Sequence, residues 1–178
     1  AVAALGLGRT GDAQFLPLLD SAWRKVETRQ ARALVAAARC LCGDETGGNY
    51  LLDILDDPEA GDDLKRSVLP LVEECRPEQA VLSVAELTRA HMDDDLGDAA
   101  FKSLIELTAP AIPGQLDPAE ENTPAPAEDG EEEQVPMQQR WAEADEAERE
   151  ELIEELLAGY QARPPVDETV PEGPPGDA

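Results

Sequence analysis

Apolar residues recur along the first 108 positions at intervals of three and four. Leu34, Val35, Ala38 and Leu41 make one such stripe, and Val68, Leu69, Leu71 and Val72 a second. Val81, Val84, Ala85 and Leu87 make a third, and Phe101, Leu104 and Ile105 a fourth. This spacing puts the apolar positions on one face of a helix. No run alternates apolar and polar with β-branched residues, so residues 1–108 read as all-α. Punctuation places the ends. Gly11-Asp12 and Gly43-Asp44 each close one helix and open another. Thr28 caps a helix through Leu41, and Asp56-Asp57-Pro58 stops one that runs from Asn49 to Leu55. Asp62 or Asp63 caps the next, to about Cys75, and Pro70 inside it should kink it. Pro77 suits the first turn of a helix ending near Met92. Asp93-Asp94-Asp95 separates it from a last helix, Leu96 to Thr108.

Beyond residue 108 the pattern changes. Residues 109–135 are dominated by Pro, Glu and Gly and can form no core, which predicts a disordered acidic linker. Residues 136–162 regain helical spacing. Trp141, Leu152, Ile153, Leu156, Leu157 and Tyr160 fall on one side of a helical wheel, with Glu over most of the rest, so one amphipathic helix is expected. Alone it is marginal in water and wants a groove to fold against. Residues 163–178 are rich in Pro and Gly and read as a disordered tail.

Charge narrows the partners. The net charge is −26, split as −9 over residues 1–108 and −17 over 109–178. That balance repels phosphate backbones and argues against nucleic acid. No stretch approaches the ~20 apolar residues of a membrane span, and no basic segment precedes the apolar start, so neither a membrane role nor an intact signal peptide is expected. A chain that opens at Ala1 inside an apolar run reads as a fragment or a processed product. The three cysteines, Cys40, Cys42 and Cys75, read as small apolar core residues in a reducing, cytoplasmic setting. Cys40 and Cys42 point in different directions on a helix, which suits neither a disulfide nor a metal clamp.

The stretch Gly6-x-Gly8-x-x-Gly11 has the spacing of a dinucleotide loop. Such a loop follows a strand and is answered by an acidic residue about 20 positions on. Here AVAAL precedes it and an Ala-rich helix follows, so no cofactor is expected. Repetition explains it better. ALGLGRTGDAQFLPLLD and AARCLCGDETGGNYLLDILDD both run from a small apolar helix through Gly-Asp to a Leu-rich segment ending in Asp, and the Gly-Asp pairs lie 32 residues apart. That is a solenoid spacing. The unit resembles the HEAT repeat in its short bacterial form, the phycobilisome-lyase HEAT-like repeat. Ala4-Leu5-Gly6 with Gly11-Asp12, the Leu-rich segments, Asp56-Asp57-Pro58, and Thr28-Arg29 and Leu64-Lys65 at the Val-Arg position carry the likeness. Leu96-Gly97 lacks the basic residue. The resemblance covers residues 1–108. It implies an α-solenoid of antiparallel helix pairs with an Asp–Arg ladder, and helices opening with Val-Arg that line a concave surface.

Stacked pairs of this kind share a core that no single pair can bury. The resulting expectation is a non-catalytic scaffold or adaptor that binds protein along the array, and the alternative is a subunit of a phycobilin-lyase-like or other HEAT-based enzyme. His91 is the only histidine, so no His-based metal pair or catalytic triad can be assembled. Asp93-Asp94-Asp95 with Asp98 could hold a hard cation but lacks EF-hand spacing and reads better as a capping turn. Lys25, Arg29, Arg32 and Arg39, spaced by 4, 3 and 7, form a basic stripe on one helix face. By the resemblance it lines the groove. The acidic amphipathic helix is expected to occupy that groove in cis, in competition with an external acidic protein.

Overall fold

The computed structural model describes residues 1–109 and 136–162, and among these the chain is all-helical, without a strand. The helices are α1 (Val2–Gly8), α2 (Leu16–Trp23), α3 (Arg29–Leu41), α4 (Glu45–Asp56), α5 (Asp62–Cys75), α6 (Ala80–Ala90), α7 (Asp95–Thr108), α8 (Met137–Glu143) and α9 (Glu146–Gln161). A 3-10 turn, Ala13–Phe15, leads into α2. The linker expected over 109–135 and the tail over 163–178 lie outside the described residues, apart from Ala109.

Local chemistry accounts for most of the boundaries. The Thr28 hydroxyl accepts the Ala31 N–H at 3.2 Å and starts α3. Asp44 accepts the Thr46 N–H and starts α4, four residues before the expected Asn49. Asp94 accepts the N–H groups of Leu96 and Gly97 and starts α7. Gly11 and Gly43 have φ of +68° and +88°, the left-handed geometry that lets a chain leave one helix and enter the next without a Cβ penalty. Two expectations fail at helix starts. Gly61, not Asp62 or Asp63, is the N-cap of α5, and both aspartates sit in its first turn, where the positive end of the helix favours them. Helix α6 begins at Ala80 because Arg76, at φ 45°, turns the chain and Pro77 lies in that turn. Helix α5 runs through Pro70.

The expected single helix over 136–162 is two. The chain leaves α8 at Ala144 and restarts at Asp145, whose carboxylate accepts the Glu148 N–H at 3.0 Å while Glu148 accepts the Asp145 N–H at 2.9 Å. This reciprocal box is a helix start signal and overrides the continuous apolar spacing.

Helices α1, α3, α5 and α7 lie side by side in chain order. Helix α4 packs on α3, α5 and α6, and α6 packs on α7. Helix α9 packs on α7 and α6, and α8 packs on α7. One continuous apolar core runs from Leu5 through Leu51, Leu55, Val68, Val84 and Phe101 to Trp141, Ile153 and Leu157. A smaller cluster of Ala4, Leu19, Val35, Ala38 and Cys42 joins α2 to α3. Small residues make the closest approaches. A Cβ at Gly8 would stand 2.4 Å from the Cα of Ala38, so α1 can meet α3 there only with glycine.

Candidate protein-binding surfaces

The basic stripe is largely engaged. Arg39, whose side chain is 19% exposed, reaches Asp44 at 2.6 Å and Asp20 at 3.3 Å, donates to Thr46 and lies 5.6 Å above the Trp23 ring. It pins α2 and the start of α4 to α3 and is a structural residue. Burial would raise the pKa of Asp44, but hydrogen bonds from Thr46 and Arg39 outweigh it and hold the carboxyl below its usual range. Arg29 hydrogen-bonds to Asp57, which lowers the Asp57 pKa, with the Glu59 N–H and the charge of Lys65 acting the same way. Lys65 itself is buried. Arg32 is exposed and its Nε donates to the Val26 carbonyl at 3.2 Å. Lys25 stands in the turn after α2, exposed and outside α3. The outward cationic edge is therefore Lys25, Arg29 and Arg32, two of the three already in hydrogen bonds within the chain.

The second candidate surface is a seat on α6 and α7, and it is filled by the chain's own C-terminal helices. Trp141 stacks on Phe101 with ring centroids 4.0 Å apart and planes 14° from parallel. Its indole N–H donates to Asp98 at 2.8 Å, and the guanidinium of Arg149 covers its other side at 5.0 Å. Arg149 also donates to the backbone carbonyls of Met92 and Trp141. Trp141 is thus enclosed on both faces with its one polar atom satisfied, which lets an indole be buried without penalty. Arg89 of α6 clamps Glu150, at 2.8 Å, and Glu154, one helical turn apart on α9. Leu152, Ile153 and Leu157 are buried beneath α9, and Leu156 is half-buried against the same core. Tyr160 is 40% exposed, outside the seat.

Contrary to expectation, the acidic helix does not lie on the stripe of Lys25, Arg29, Arg32 and Arg39. Its contacts are with α6 and α7, where Phe101 offers an aromatic face and Arg89 the matching charge. Sequence reasoning had found the apolar residues of the helix. It missed the receiving side, namely Phe101, Asp98, Met92 and Arg89, and the cation Arg149 within the helix itself. The signal that could have found them is the one basic residue in an otherwise acidic α9, and Arg89 at the end of α6 beside it.

The remaining candidates resolve into structure. The glycine run closes α1 and turns into the 3-10 segment, with a helix where a dinucleotide loop needs a strand. The acidic turn is divided among tasks. Asp94 caps α7 and pairs with His91 at 2.8 Å, Asp98 takes the Trp141 indole, and Asp93 lies 3.7 Å from Arg149. The His91 hydrogen bond leads in holding the Asp94 pKa below its usual range. Among the described residues no group of three or more acidic, His or Cys side chains is placed to hold a metal ion. No described helix is long and apolar enough to cross a membrane. No family model, curated protein or solved structure matches the chain.

Proposed function

We propose that the chain is a non-catalytic, HEAT-like helical-repeat scaffold that binds protein, with its C-terminal helices forming the last member of the stack. The observation that carries this reading is the packing order. Helices two apart in sequence are neighbours from α1 through α3 and α5 to α7, and α7 is in turn covered by α9. Arrays built this way grow one repeat at a time and present an extended face to partners. The link from Arg29 to Asp57, with Lys65 close behind, fits the Asp–Arg ladder of such repeats. The array and its outward edge at Lys25, Arg29 and Arg32 give an acidic protein a place to dock.

The test is affinity capture with the full chain from an extract of its own source, followed by titration of the captured protein. A stoichiometric protein partner is expected, with affinity falling about tenfold or more in Lys25→Glu/Arg32→Glu while circular dichroism stays unchanged. A chain that takes up an open-chain tetrapyrrole, seen as a new visible absorbance band, would instead support the lyase-like alternative.

A further inference from the structure

Cys40 and Cys75 are 35 positions apart in sequence and meet in space. Cys40 lies on the last turn of α3, and Cys75 is the last residue of α5, the helix packed beside it. The Cys75 sulfur reaches the Ala37 carbonyl of α3 at 3.5 Å, about one turn before Cys40, and Pro77, two residues after Cys75, flanks Gly48 together with the Cys40 sulfur. Both side chains are partly accessible, whereas Cys42 is buried and turned towards the Gly8 carbonyl on α1. The backbone N–H of Gly48, in the first turns of α4, donates to Cys40. Gly48 is tight here, since a Cβ would stand 3.1 Å from the Cys40 sulfur and 2.9 Å from Pro77. The glycine thus lets the amide approach the sulfur. The Cys40 sulfur lies against the first turns of α4, the positive end of that helix, which favours a thiolate.

We propose that Cys40 and Cys75 form a reversible thiol pair that a hydroperoxide oxidises to a disulfide joining α3 to α5, with Cys40 the attacking sulfur and Cys75 the resolving one. In the first step the Cys40 thiolate attacks a peroxide oxygen and the O–O bond breaks. The alkoxide or hydroxide leaves and takes a proton, and Cys40 becomes a sulfenic acid. In the second, the Cys75 sulfur attacks the Cys40 sulfur and the S–O bond breaks. The hydroxide leaves with the Cys75 proton as water. Two thiols lose two electrons, and the hydroperoxide is reduced to an alcohol, or water, plus water. The order of roles follows the environment. The Cys75 hydrogen bond and the Gly48 N–H bring the Cys40 pKa down to about 7, against burial and the charge of Asp44. The bond to Cys40, burial and the charge of Glu74 push the Cys75 pKa up.

The test uses the full chain with a small excess of hydrogen peroxide, blocking of free thiols, trypsin and mass spectrometry. Trypsin cuts after Arg39, Lys65, Arg66 and Arg89 but not at Arg76-Pro77, which leaves Cys40 on peptide 40–65 and Cys75 on peptide 67–89. The two peptides should appear joined, lighter by two hydrogens than their sum, and separate on adding dithiothreitol. Cys42→Ser should leave the link intact. Cys75→Ser should give a dimedone adduct on Cys40, and Gly48→Ala should slow closure severalfold. A link through Cys42, or no link while Cys40 is alkylated no faster than an unfolded-chain thiol, overturns the proposal. So does a dimedone adduct that forms first on Cys75.

Discussion

At the scale of single residues, the glycines of the first turn separate into two kinds. Gly6 sits inside α1 with nothing within 4 Å of its missing Cβ, whereas Gly8 meets the Ala38 backbone. Gly6→Ala should stabilise the fold by up to about 1 kcal/mol, the helix-propensity difference. Gly8→Ala should cost about 1–3 kcal/mol by overpacking α1 against α3. Urea unfolding of the two variants checks both signs, and equal effects would contradict the geometry. Asp44 makes the pH dependence readable. Its folded pKa is depressed, so its contribution is present above the unfolded value, near pH ~3.9, and is lost as pH falls through the folded value. Asp44→Ala should lower stability at pH 7 by about 1–2 kcal/mol through loss of the cap and the Arg39 pair. The gap from the parent chain should narrow as pH falls below the unfolded value. Asp56 works in the opposite sense. Burial, with Glu86 and Asp53 nearby, raises its pKa, so its stabilising share appears at low pH and is lost as pH rises.

At the scale of elements, helix α9 depends on its start and its seat. Asp145→Ala removes one half of the capping box and should cost about 1 kcal/mol, read as faster amide exchange in α9 with α3 unaffected. Trp141→Ala removes the stack on Phe101 and leaves Asp98 and Arg149 without their shared partner. A loss of about 3–5 kcal/mol in docking free energy follows from its burial, enough to release α8 and α9 together, seen as fast amide exchange throughout both helices while α3 stays protected. The reach of sequence reading also shows at this scale. The start of α3 was legible because Thr28 carries a strong local signal, and the glycine turns were legible for the same reason. The first turn of α4 was not. Thr46-Gly47-Gly48 reads as a loop, yet it is helical because α4 crosses α3 where a Cβ at Gly47 would stand 2.2 Å from the Ala36 carbonyl. The packing that requires the glycines is long-range and leaves no local trace.

For the whole molecule, the same distinction explains why the seat of the C-terminal helices was missed. Charge counting pairs an acidic helix with the densest row of cations, but Arg39 and Arg29 are already held by Asp44, Asp20 and Asp57. What decides the seat is shape, an aromatic face on α7 beside a single arginine on α6. With a net charge of −26 the molecule repels itself. Raising salt from low ionic strength should therefore raise its melting temperature overall while weakening the exposed ion pairs of Arg89. Differential scanning calorimetry against exchange rates in α9 would show the two effects with opposite signs. The stacking order has a consequence in time. Helix α7 meets α5 through Ser103 and Glu73, 30 positions apart, whereas α9 meets α6 through residues 61 and 65 apart, a span that the exposed Arg9–Glu74 pair matches within residues 1–109. Distant contacts are gained late, because more of the chain must be gathered before they reward it. Refolding should accordingly show the helical signal of residues 1–109 first and the quenching of Trp141 afterwards. Unfolding should run in reverse, with the last helix in being the first out.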